Sequence, residues 1–153
     1  MQIQGVHTIC KYTPVLLRNV ILEKIVKTGH TERYNPVAGL FLFIADYLVM
    51  DGLQSDTVRL LLEEFHDEIE AFGVLLGKAL VQDGITDIKK LPVCKIGILD
   101  GKYACVDGKE TMLDLQTGLK VTSLLVLPLR TTVYNLTGLL LKYRSAYQET
   151  TGK

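Results

Sequence analysis

At 153 residues, 48% hydrophobic and 22% charged, the chain suits one domain with a core that needs neither disulfides nor a structural metal, and the composition excludes a disordered chain. Its 17 basic and 17 acidic residues cancel, which argues against a general polyanion binder. The first half leans acidic and the second basic, so the halves can pair head to tail or meet differently charged partners.

The opening MQIQGVHTICKYTP carries no basic stretch followed by an apolar one, and the longest apolar run, VAGLFLFIADYLVM, is short and interrupted by Asp46. These features predict a cytoplasmic protein without a membrane segment. Cys10, Cys94 and Cys105 are odd in number and lack CxxC spacing, so free thiols are expected rather than a disulfide framework or a zinc site.

Thr13 and Pro14 read as N-cap and first residue of a helix in which Leu17, Val20, Ile21 and Ile25 recur until Gly29, with Arg18, Glu23 and Lys27 outward. Asn35 and Pro36 repeat the start signal, and the apolar run to Met50 stops at Asp51-Gly52. A helix apolar on every side belongs at the centre of the helical part. From Ser55 and Asp56 a third helix is predicted, with Val58, Leu62, Phe65, Ile69, Phe72, Leu76 and Ala79 stepping by four and three. Such a heptad-like seam suits packing along a neighbouring helix or a symmetry mate. Gly73 and Gly77 within it form GVLLG, which fits either close backbone approach or a fraying end.

From Pro92 the texture changes to short runs divided by Asp100-Gly101, Asp107-Gly108 and Gln116-Thr117-Gly118. Asp-Gly between such runs signals a hairpin, and a four-stranded antiparallel meander is predicted over 93–127. The first turn is expected to set Ile96 opposite Cys105 and Ile98 opposite Tyr103, which puts Cys94 diagonal to Cys105 on one face, and Asp114 is expected to face Lys120. In TTVYNLTGLLLKYRSAY, Thr, Val and Tyr favour a strand while Leu136, Leu140 and Tyr143 or Tyr147 recur at helical spacing. The spacing predicts a C-terminal helix over 131–147 capped by Thr131 or Thr132, then a flexible tail, 148–153. The fold class is therefore α+β: one domain, 1–153, with a helical part over 12–80, the meander, and a final helix. Residues 81–92 form the joint between helices and sheet.

The stretch EEFHDEIE, Glu63 to Glu70, has the look of chemistry, since Glu63, His66 and Glu70 share one helical face at ligand-like spacing. A di-iron carboxylate bundle needs a second ExxH and two further glutamates from other helices, and the earlier helices offer no second ExxH and only Glu23, Asp46 and Asp51 as acids. The triplet is a candidate metal group whose simpler reading is a solvated acidic face. Asp46 must find a partner inside its apolar helix, either as a functional acid or base or as a carboxylate bonded to Tyr12, Tyr34 or an arginine. No GxGxxG, Walker loop, GxSxG or HExxH occurs, and His7, His30 and His66 have no legible link to the cysteines. No cofactor is called for. For nucleic acid, the footprint would be Lys78, Lys89, Lys90, Lys95, Lys102, Lys109, Arg130, Lys142 and Arg144 with Tyr103, Tyr143 and Tyr147, spaced singly among acids.

Two functions fit this sequence. The first is a non-catalytic interaction or oligomerisation subunit of a larger assembly, nucleoprotein among the options, whose interface is Val58, Leu62, Phe65, Ile69, Phe72, Gly73, Leu76 and Gly77. The second is a small-ligand-binding domain or minor enzyme with a pocket between helix 37–50 and the sheet, around Asp46, Tyr103 and Cys105. The layout of a helical body, a small β-meander and a final helix resembles the small, non-catalytic subunit of archaeal CRISPR effector complexes. That resemblance implies a role in holding guide and target nucleic acid; it shares no residue motif, so no site residue is carried over, and the neutral net charge departs from such a role.

Overall fold

The computed structural model describes residues 11–25, 36–79, 83–84, 87–107, 112–121 and 130–137. Among these, helices lead and an antiparallel sheet comes after them, an α+β order. Helix α1 is Val15–Val20, extended by a π-helical turn, Ile21–Ile25, and it buries Leu17, Ile21 and Ile25. Its N-cap is Pro14 rather than Thr13, because the Thr13 hydroxyl is bonded to Asp46 instead of to the helix. The expected stop at Gly29, like Lys27, lies outside the described residues.

Helix α2 runs Pro36–Met50, the span that its flanking signals predict. It ends in a Schellman arrangement: the Leu53 N–H donates to the Leu48 carbonyl at 3.1 Å and the Gly52 N–H to that of Val49 at 3.0 Å. This end needs a left-handed residue, and Gly52 supplies it at φ 100°. Leu40 through Ala45 and Leu48 are buried, and the helix is packed by both of the helices after it.

The single helix predicted from Ser55 is two, α3 at Ser55–Glu64 and α4 at His66–Gly77. Between them Phe65 takes φ −99° and ψ 22°, while the Phe65→Leu61 and Ile69→Phe65 backbone bonds on either side persist at 3.0 Å. A straight helix drifts by roughly 20° per heptad from a four-and-three stripe, and a local bend restores the stripe to its neighbour. All seven seam residues from Val58 to Ala79 consequently stay buried.

Among the described residues, five strands make one sheet in the order β4-β3-β2-β1-β5: β1 Lys95–Leu99, β2 Tyr103–Val106, β3 Met112–Asp114, β4 Lys120–Val121 and β5 Thr131–Asn135. The first four form the predicted meander, although 109–111 and 122–127 of its runs lie outside the described residues. The fifth corrects the helix predicted over 131–147. Thr131 to Asn135 pair antiparallel with β1, where extended, β-branched residues satisfy the second edge of a central strand. Helical backbone begins only at Leu136, and its cap is Asn135, whose side-chain oxygen accepts from the Thr137 N–H at 3.0 Å. Positions 138–147 and the tail 148–153 lie outside the described residues.

The first hairpin is shifted by one residue from expectation. Asp100 and Gly101 have φ 53° and 70°, and the Lys102 N–H closes the turn on Leu99 at 3.1 Å. Lys102 then leaves the ladder, because its carbonyl accepts from the Leu115 N–H at 2.6 Å, and pairing resumes with Leu99 opposite Tyr103. Ile96 therefore faces Val106, and Gly97 faces Cys105. A slip of one moves side chains to the other face. Cys94 is buried with the inner face, and Cys105 stands on the outer one. The third connection shifts likewise: Leu113 faces Lys120, while the Asp114 carboxylate accepts from the Gln116 and Thr117 N–H groups at 2.8 and 3.2 Å. Lys120 instead meets Glu64 of α3 at 2.9 Å, which holds its ammonium above the ordinary value.

Ile96, Ile98, Ala104, Val106, Leu113 and Leu136 join the helices in one apolar cluster. At its margin the Tyr134 hydroxyl donates to the Asp51 carboxylate, tying β5 to the end of α2. Burial first, then this bond and charge, push the phenol above its ordinary 10.0. A raised value in the folded state means the contribution is full below pH 10.0 and is lost as pH rises through the folded value. Tyr134→Phe is expected to cost about 1 kcal/mol in urea unfolding at neutral pH, with the difference shrinking in alkali.

Candidate functional site

Asp46 is 7% exposed and its Oδ1 accepts from the Tyr12 N–H at 2.7 Å, the Thr13 N–H at 3.0 Å and the Thr13 hydroxyl at 2.9 Å. It clamps the segment ahead of α1 to the middle of α2. Tyr12 is thus the partner, through its backbone rather than its phenol; Tyr34 is outside the described residues. Tyr103 and Cys105 lie across from Leu99 and Gly97 on the outer sheet face, whereas the inner-face residues join the apolar cluster that the helices share. The expected pocket of Asp46, Tyr103 and Cys105 is therefore not assembled, because the register slip turns its sheet members away.

Of the triplet Glu63, His66 and Glu70, the last two stay in contact and Glu63 is drawn to another partner. His66 Nε2 is 3.1 Å from Glu70 and Nδ1 is 3.1 Å from Asp67, so both ring nitrogens already face carboxylates. Glu63 leans on Arg59 at 3.9 Å instead. The imidazole rests against the Phe41 ring, centroids 5.4 Å apart, on the flank of α2. Among the described residues no group of three or more His, Cys, Asp or Glu is placed to hold a metal.

The two described cysteines differ sharply in environment. Burial first, then the charge and hydrogen bond of Asp107, raise the Cys94 thiol from 9.0 to about 12. It stays protonated and unreactive at neutral pH, and its contribution to stability is present below pH 9.0 and lost as pH rises toward 12. Cys105 is half-buried on the outer face. Brief treatment of the native protein with iodoacetamide, read by peptide mass spectrometry, is expected to modify Cys105 well ahead of Cys94; equal labelling would contradict the placement.

The predicted interface seam faces inward. Val58, Leu62 and Ile69 are 0% exposed, Phe65, Phe72 and Leu76 are nearly so, and Gly73 is buried too. Its residues are consumed by the chain's own core; Gly77 ends α4. What sequence reading missed is the opposite side of α4. There Ala71, Val74 and Leu75 are exposed, Val74 by 58% and Leu75 by 56%, between exposed Asp67 and Glu70 on one side and Lys78 on the other. The i, i+3, i+4 spacing was readable, but the longer seam overshadowed it. A second exposed apolar group, Tyr12, Val15 and Leu16, stands where Asp46 holds the chain. A cleft of about 760 Å³ opens between the end of α2, the start of α3 and two sheet turns, with Asp51, Asp56, Arg59 and Gln116 around Leu60 and Leu115.

The basic residues among the described ones do not form one stripe. Lys95 lies at one end of β1 near Asp107, while Lys102 and Arg130 lie at the other near Asp100. Lys78, Lys89 and Lys90 are exposed on other elements; Lys109, Lys142, Arg144, Tyr143 and Tyr147 are outside the described residues. Among the described residues no helix is long and apolar enough to cross a membrane. Comparison with protein-family models, curated proteins and solved structures finds no match for this chain. The layout likeness to the CRISPR small subunit also changes, since a fifth strand stands where the final helix was predicted to begin.

Proposed function

We propose that the chain is a non-catalytic interaction or oligomerisation subunit of a larger assembly. The observation that carries this reading is the pair of apolar groups the fold holds outward, Val74 with Leu75 on α4 and Tyr12 with Val15 and Leu16 ahead of and within α1. Apolar side chains scattered singly are ordinary, but adjacent ones on well-anchored elements suit a partner. The anchoring here is specific: three hydrogen bonds donated to the Asp46 carboxylate fix one group, and a buried seam fixes the other. The alternative, a small-ligand-binding domain or minor enzyme, rests on the cleft beside Leu60 rather than on Asp46. Sedimentation velocity combined with affinity co-purification of the full chain tests the proposal. Association with itself or with a stoichiometric partner is expected, and a chain that is monomeric and recovers no stable partner would overturn it.

A further inference from the structure

Resting on that reading, we infer that the outer face of α4 docks on the same face of a second copy of this chain, the two helices antiparallel about a two-fold axis near Val74. Ala71, Val74 and Leu75 form the apolar centre, all exposed and all on the side away from the buried seam. The charges select the occupant. Asp67, 99% exposed in its side chain, and Glu70, 51% exposed, lie on the N-terminal side of the centre, and exposed Lys78 lies on its C-terminal side. A two-fold interface requires each patch to complement itself. With the axis at Val74, antiparallel packing sets Lys78 beside Glu70 of the second copy, twice, and opposes the helix dipoles. Parallel packing would instead set acid against acid and Lys78 against Lys78. The face thus carries its own complement in only one orientation.

Ala71 is small enough to let the backbones approach, and Val74 and Leu75 fill the space on either side. One face of a helix that is 12 residues long is less than the roughly 800 Å² per partner of a standard interface, so the association is weak and reversible. Its place on the surface differs from the heptad seam, which the same helix turns inward.

Sedimentation velocity of the full chain from about 5 µM to about 500 µM tests the inference, with a concentration-dependent dimer as the expected result. Val74→Glu and Leu75→Glu, both at exposed positions, are expected to raise the dissociation constant by at least about 30-fold. Lys78→Glu and Glu70→Lys are each expected to weaken the dimer by about 3- to 10-fold, and the double exchange to restore it within about 3-fold. Glu70 also contacts His66, so thermal unfolding of each variant at dilute concentration controls for the fold. A chain monomeric at the highest concentration overturns the inference. A dimer indifferent to Leu75→Glu overturns this face while leaving self-association standing. A double exchange that fails to restore what the single exchanges lose overturns the antiparallel arrangement.

Discussion

Replacing Ile69 by alanine is expected to lower the free energy of unfolding by about 3 kcal/mol, and by the same amount at every protein concentration. Ile69 is 0% exposed, on the side of α4 that joins the core cluster with α2. Removing three buried carbons loses their transfer energy and leaves a cavity that close-packed neighbours refill only in part. Domains of this size are stable by about 5–15 kcal/mol, so the unfolded fraction should rise more than about 100-fold. The concentration dependence separates two meanings of one stripe. Were the seam an interface between copies, the loss would appear mainly as weaker association, and the midpoint of denaturation would move with concentration. Urea titrations at two concentrations about 50-fold apart decide the matter. A difference between wild type and variant that is equal at both concentrations supports an internal seam; a concentration-dependent shift confined to the wild type would restore the intermolecular reading.

Asp46→Ala is the second large loss, expected at about 3 kcal/mol, and its origin is polar. The substitution strands the Tyr12 and Thr13 N–H groups and the Thr13 hydroxyl, in a place where Thr13 is 5% exposed. Unpaired buried donors carry their full desolvation cost, which exceeds what each bond gains when made. Asp46→Asn keeps an oxygen and is expected to lose about 1 kcal/mol, the charge-assisted part of the interaction. Hydrogen exchange adds a local readout. The amides of Tyr12 and Thr13 should lose protection in Asp46→Ala even under conditions where the sheet remains protected. A variant that unfolds like the wild type and keeps those amides slow would show that Asp46 does not hold the segment.

The legible parts of this fold are those governed by short-range signals. Asn35-Pro36 and Asp51-Gly52 bracket α2 because a proline start and a left-handed glycine end are local chemistry. The stripe from Val58 to Ala79 told correctly which side chains are buried. It could not tell by whom, since periodicity reports an apolar face and not the identity of its cover. Strand β5 was missed because two elements abut: Thr131 to Asn135 are extended, and the helical spacing counted from Leu136 belongs to the next segment of chain. The register was missed by one because Lys102 is drawn out of its own hairpin by Leu115 of the next, a bond that no dipeptide rule contains. The candidate site suffered in proportion. Asp46 needs a partner by the composition of its helix alone, yet its partners, two backbone N–H groups and the Thr13 hydroxyl, lie more than thirty residues away. Glu63, His66 and Glu70 share a helical face on paper, but Arg59 and Asp67 divide their allegiance.

That single residue at Lys102 also decides how the chain meets an oxidant. Had the strands kept the simpler pairing, Cys94 and Cys105 would lie diagonally on one surface, where a modest backbone shift brings two sulfurs together. The observed register puts the sheet itself between them, Cys94 sealed among apolar side chains beside Asp107 and Cys105 over the bare backbone of Gly97, whose missing side chain would stand 3.4 Å from that sulfur. An internal bridge between these two thiols is closed off by topology. Between the two described cysteines there is thus no redox latch across the sheet, and Cys105 is left to meet small thiols or another molecule from the outer face.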